Sequence, residues 1–410
     1  MISKFSAGFL VAAAFAWIDI AAAISLPNCQ TIAPPQKNIT TVRTTNVSVP
    51  AHPFGIVYAQ QQKDTAFVAL NTTLGVLDTS ALIPKLIHQI PLPAPYVSIN
   101  GATGITLTHN GRYILVTTFS TSLLIIDAAA AATGNPDAVV GVLIGSPAAG
   151  SSAIEVHTTL DDDHAFVSQE DGSLQIGRRG TIEVFKLQYP SSSPPTKNHT
   201  VTCNSIGYIP LGGLVVGTTL SPDGRYLYAT SEIASNTTTE GTLSVLDVET
   251  LTTNPPDALI ATANAGCSPV RVIVSSDGST VWVTARESNH LLAFSAEKLV
   301  AERTSGSNAL LASVQVGTSP VGLTFTDASE KQILVANSNR FAGEEGFGNA
   351  TSGLSIVDVD AALRGEAGAV LGEVRSGMFP REVARAPEGG TVLVSVYGSE
   401  VVQGVDVGNL

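Results

Sequence analysis

Two glutamates and an arginine occupy one place in three successive copies of a short sequence unit. About twelve residues after the end of each unit's first strand stand Asn71, Phe119, Glu170, Glu232, Arg286, Asn337 and Tyr397. The first strands carry a second set at one register position, Glu155, Gly217 and Arg271, with His157 two residues beyond Glu155. If neighbouring units are neighbours in space, carboxylates meet guanidinium groups. Such a set can do acid–base work on a lactone: Arg stabilises a carboxylate or an enolate-like oxyanion while Glu or His moves a proton. That needs a carboxyl whose pKa is brought toward the working pH by burial or like charge. Glu170, Glu232 and Arg286 are therefore the principal catalytic candidates, and Glu155, His157 and Arg271 the secondary ones. The same residues can also close on each other as an ion network of modest energetic worth.

The elements that would position them are repeated strands. Leu220-Ser-Pro-Asp-Gly-Arg-Tyr-Leu-Tyr-Ala-Thr, Val274-Ser-Ser-Asp-Gly-Ser-Thr-Val-Trp-Val-Thr and Leu107-Thr-His-Asn-Gly-Arg-Tyr-Ile-Leu-Val-Thr are one unit written three times. An apolar strand ends at Ser or Thr, an Asp-Gly or Asn-Gly pair supplies positive φ, and a β-branched strand follows. A third alternating strand comes next, as in Leu243 to Asp247 and Leu354 to Asp358, and a fourth leads to the next unit. Weaker copies at Gly55 to Asp78, Ile154 to Phe185, Val321 to Asp358 and Arg381 to Asp406 bring the total to seven. Units that cannot bury their own faces must stack on copies. The expectation is an all-β, seven-bladed β-propeller of four-stranded antiparallel blades. The last unit stops after its third strand, so an N-terminal strand at about residues 40–49 should close that blade and leave no open edge. Residues 40–410 then form one propeller, preceded by an extension at 24–39.

The Ser-Pro-Asp-Gly-Arg-Tyr-Leu-Tyr-Ala-Thr stretch, with its Val-Leu-Asp strand and a Gly-x-x-Pro turn, resembles the YVTN-type repeat. More narrowly the chain resembles the lactonase family of seven-bladed propellers, which includes 3-carboxymuconate cyclases, and within it the exported, wall-associated fungal proteins. That resemblance implies an acid at the end of the third unit's second strand, a Glu in the fourth and an Asn-Arg in the fifth. Glu170, Glu232 and Arg286 match, with Ala285 in place of the Asn. The family's His-x-His falls on Ala153 and Glu155, and its Pro-Arg-His on Val215-Val216-Gly217. The proton-transfer and anion-binding groups the family uses are thus missing at those places.

Lys4, the apolar run Phe9 to Ile20 and Ala21 to Ala23 read as an export signal over residues 1–23. Sequons at Asn38, Asn46, Asn71, Asn198, Asn236 and Asn349 fit a glycosylated, extracellular or cell-wall protein. Three cysteines leave one thiol over, and Cys29 with Cys203 is the preferred pair, because both fall in irregular or outer segments. Cys267 is expected to open an inner strand. A formal charge of -13 disfavours nucleic acid and anionic membranes. Asp161-Asp162-Asp163 occupies the hairpin position and reads as a turn. No metal-ligand spacing, cofactor motif or transmembrane anchor is found, although a channel metal stays open. A monomer is expected. Two functions remain: a lactonase-like enzyme acting on a small lactone, and a non-catalytic extracellular binding protein for a matrix or wall ligand.

Overall fold

The computed structural model describes residues 24–97, 101–120, 122–190, 201–235, 238–302, 308–340, 352–408 and 410. These fold into seven four-stranded antiparallel sheets arranged as the blades of a β-propeller. The inner strands, blade 1 to blade 7, are Pro53–Tyr58, Ala102–Leu107, Ala153–Thr158, Gly213–Leu220, Pro269–Val274, Pro320–Phe325 and Pro380–Arg385. Blade 7 takes its outer strand from the N-terminus. Thr44–Ser48 pairs with Val401–Asp406, Thr44 opposite Val405 and Ser48 opposite Val401. Buried apolar side chains lie between adjacent blades, as Phe67, Leu74, Ile114, Val116 and Leu124 do between blades 1 and 2. Ring closure therefore buries both faces of each sheet, which is why the strands read as near-continuous apolar runs.

The recurring Ser/Thr and Asp of each unit have local work. Ser221 Oγ donates to Asp223 and accepts from the Tyr226 amide, while Asp223 accepts from the Arg225 amide. Gly224 supplies the positive φ, +72°. In blade 3 Asp162 takes the glycine's seat at φ +63°. Its carboxylate accepts from the amides of His109 and Asn110 in blade 2 and from the Thr158 hydroxyl. The Asp161-Asp162-Asp163 run is thus a turn that also pins two blades together. The Asp ending the third strand of blades 2, 4 and 6 does something the sequence does not announce. Asp127, Asp247 and Asp358 cap short helices by accepting from Ala130, Thr250 and Ala361, satisfying otherwise orphaned amides.

The cysteine pairing differs from expectation. Cys29 is bonded to Cys267, with Cα atoms 5.3 Å apart. Cys267 ends the outer strand of blade 4, Leu259–Cys267, instead of opening an inner strand. Cys203 lies on the outer strand of blade 3, Thr202–Pro210. The reason is the course of the N-terminal extension, which runs as a strap from blade 4 across blades 5 and 6. Gln30 donates to Glu287 O, Thr31 and Ile32 accept from Asn289 and Gln315, and Gln36 accepts from Ser355. Ile39 donates to Glu373 O before the chain enters blade 7. The ring is closed by the seventh blade's shared sheet and again by the disulfide.

Candidate functional site

Every inner strand bulges near its start. The register shifts fall between Pro53 and Ile56, Ala102 and Ile105, Ala153 and Val156, Val215 and Gly217, Pro269 and Val272, Pro320 and Leu323, and Pro380 and Val383. A bulge re-aims side chains and leaves an amide unpaired. In five blades a hydroxyl from the second strand meets that amide. Thr117, Ser168, Thr230, Thr284 and Ser395 accept from Gly104, Glu155, Gly217, Arg271 and Glu382 at 2.8 to 3.1 Å. This is the physical use of the Thr or Ser that ends the motif in those five blades.

The bulged pairs build two layers across the channel. The second residue of each pair is glycine in blades 1, 2, 4 and 6, where a Cβ at Gly104 or Gly217 would sit 2.2 or 2.1 Å from the next blade's carbonyl. Blades 3, 5 and 7 carry Glu155, Arg271 and Glu382 instead. Arg271 Nε lies 2.6 Å from Glu155 and its Nη2 2.5 Å from Glu382, and Glu155 also accepts from the Thr218 amide at 2.7 Å. The channel waist is filled by this triad. Burial, opposed by Arg271 and reinforced by the charge of Glu382, pushes the Glu155 carboxyl up to about 7. Arg271 is held further into its charged form by the two carboxylates, against the effect of its burial.

Below the waist is a cavity of about 210 Å³ lined by Glu155, His157, Thr218, Arg271 and Glu382. Burial lowers the His157 imidazole to about 4, partly offset at the Thr218 backbone, so it is neutral across the physiological range. Above the waist is a second cavity, of about 100 Å³. Its floor is the apolar girdle Ile154, Val216, Val270 and Val321. Its walls include Phe119, Glu170, Glu232, Arg286, Arg340, Phe379 and Arg381. Arg271 borders both cavities.

The structure therefore brings Glu170, Glu232 and Arg286 together at one mouth of the channel and keeps His157 on the opposite side of the triad. Arg286 grips Glu232 with two parallel contacts, 3.0 and 2.5 Å, and Ser268 Oγ bonds both partners. Glu170 makes no side-chain hydrogen bond among the described residues. Burial first, and then the charges of Glu232 and Asp171, raise its carboxyl above the usual range, against the pull of Arg381 and Arg340. Asn337 is buried and donates to Ser355, Tyr397 stacks on His52 at 4.6 Å, and Asn71 pairs with Ala102 at the junction of blades 1 and 2.

Three residues at the channel escape sequence reasoning: Glu382, Arg340 and Arg381. For two of them a signal exists, since Pro380-Arg-Glu stands in register with Pro269-Val-Arg and Pro320-Val-Gly. Arg381 takes the girdle position that is apolar in blades 3 to 6. Its guanidinium lies 3.6 Å from the centroid of Phe54, with Phe379 and Tyr397 nearby. Its Nε is buried without a hydrogen-bond partner. The nearest carboxylate, Glu382 at 3.8 Å, is engaged by Arg271. Burial lowers the guanidinium to about 10, the cost of a desolvated cation with little to offset it.

Among the described residues no group of three or more His, Cys, Asp or Glu could hold a metal ion, and no helix is long and apolar enough to cross a membrane. Of the sequon asparagines, Asn38 and Asn46 are exposed and Asn71 is half-buried. Asn198, Asn236 and Asn349, like residues 1–23, lie outside the described residues.

Fold and channel together define a seven-bladed β-propeller whose waist is filled by charged side chains. No protein-family model and no curated protein matches the chain. Among solved structures it is similar to one titled Kuenenia stuttgartiensis hydrazine synthase, with TM-score 0.63 and 13% identity, covering 88% of this chain and 97% of that one. Identity this low speaks to the fold alone.

Proposed function

We propose that the chain works outside the cell as a glycosylated, non-catalytic binding propeller that presents the mouth of its channel to a small ligand. One observation carries this reading: Glu232 and Arg286, the centre of a lactonase-type site, are spent on each other and on Ser268. A carboxylate held by a bidentate guanidinium is a poor proton acceptor, and both terminal nitrogens of the guanidinium are engaged, leaving only the Nε, which is buried. The second carboxylate–guanidinium set, Glu155 with Arg271, is closed in the same way by Glu382. The disulfide supports an oxidising compartment, and the exposed Asn38 and Asn46 are open to a glycan.

The test is a ring-opening assay of the secreted protein on muconolactones and aldonolactones, beside Glu170→Gln and Glu232→Gln. The expected result is hydrolysis no faster than in buffer for all three proteins. Turnover by the wild type that either substitution abolishes, with the fold intact, would overturn it in favour of a lactonase.

A further inference from the structure

We propose that the cavity above the waist is a binding site for a single-ring aromatic carboxylate, held through its carboxyl group by Arg381. This rests on the binding reading above and names the ligand's class.

The cation comes first. Among the charged groups at this mouth, Arg286 gives both terminal nitrogens to Glu232 and keeps only its Nε without a partner, and Arg271 is engaged by two carboxylates. Arg381 makes no hydrogen bond among the described residues, and its Nε is buried. A guanidinium removed from water in this way gains most from a planar anion able to accept two parallel N–H bonds. A carboxylate has that geometry.

The surroundings choose the rest of the ligand. One face of the guanidinium is covered by Phe54 at 3.6 Å. Phe119 and Phe379 form part of the wall, and Ile154, Val216, Val270 and Val321 form the floor. An apolar floor disfavours a phosphate or sulfate, whose further charged oxygens would lose water without gaining partners. Flat aromatic walls favour a flat ring, which can stack or meet them edge-on. The size agrees. The cavity is small, about 100 Å³, which suits a single ring better than a larger ligand.

Calorimetric titration of the full secreted protein with benzoate tests the proposal, with benzamide, cyclohexanecarboxylate, inorganic phosphate and a muconolactone as separate arms. The expected result is saturable benzoate binding, with the other four at least fivefold weaker. Arg381→Gln should weaken benzoate at least tenfold. Phe119→Leu, which keeps an apolar wall without a ring, should weaken it severalfold. Arg381→Lys keeps the charge without the planar fork and should fall between wild type and Arg381→Gln, which separates lost recognition from lost folding. Benzamide binding as tightly as benzoate, or affinity unchanged in Arg381→Gln, would overturn the assignment. Absence of benzoate binding would overturn the ligand class alone, because the non-catalytic reading is judged by lactone turnover.

Discussion

The waist and the mouth of the channel are built from adjacent residues of the same strands and treat charge in opposite ways. At the waist, glycine in four blades leaves the axis to Glu155, Arg271 and Glu382, and the guanidinium engages both carboxylates. One residue earlier in blade 7, Arg381 takes the position that is apolar in blades 3 to 6 and meets an aromatic face instead of an acid. A buried charge is tolerated when paired and is costly when alone. The waist is therefore a structural plug, and the mouth is where the fold has left a charge that an external group can satisfy.

Removing the cation from each layer should separate the two most sharply at the waist. Arg271→Ala leaves two largely buried carboxylates, 16% and 15% exposed, facing each other, and removing one member of a buried pair costs about 3–5 kcal/mol. Urea titration should show a loss of this size. The triple variant Arg271→Leu, Glu155→Gln, Glu382→Gln should regain most of it, since uncharged groups of similar volume need no counter-ion. A loss under about 1 kcal/mol, the worth of an exposed pair, would show that the triad is solvated and that the contrast between the layers is false.

Acid offers a smaller perturbation below the waist. Unfolded, His157 takes up its proton near pH 6.5; folded, burial delays uptake to about 4. Between these values the unfolded chain binds the extra proton, so this residue's contribution to stability is lost as pH falls. The difference amounts to about 2–3 kcal/mol. Glu155 acts in the other sense, because its raised carboxyl costs stability as pH rises toward about 7. The informative quantity is thus the gap between wild type and His157→Gln. It should narrow by that amount from pH 7 to pH 4 in denaturant titrations, and parallel curves would mean the imidazole is open to water.

Much of this architecture is legible in the sequence, and the reason lies in the range of the forces. The Ser-x-Asp-Gly turn, the alternating strands and the missing last strand obey rules that act within a few residues. They suffice to place Thr44–Ser48 against Val401–Asp406. Register also brings Glu170, Glu232 and Arg286 to one mouth and aligns Glu155 with Arg271. Whether two such groups close on each other depends on side-chain reach across blades, and the Ser268 hydroxyl that completes the Glu232–Arg286 pair carries no pattern of its own. Arg381 and Glu382 were reachable by carrying the same register into blade 7. Cys267 was not, because its partner is brought by a strap whose course follows from scattered side-chain-to-backbone bonds.

The smallest expected effect is the most discriminating. Arg381→Gln removes a charge from almost the same depth as Arg271→Ala, yet its removal strands no carboxylate, since Glu382 keeps Arg271 and Glu170 keeps the pull of Arg340. What is lost is a cation–aromatic contact with Phe54, worth about 0.5–2 kcal/mol. What is gained is relief from desolvating a guanidinium that makes no hydrogen bond among the described residues. These terms oppose each other, so stability in urea should change by less than about 1 kcal/mol in either direction. Near-neutral stability together with lost benzoate binding would mark Arg381 as a ligand-binding group. A loss comparable to that of Arg271→Ala would mean instead that Arg381 is a second part of the plug.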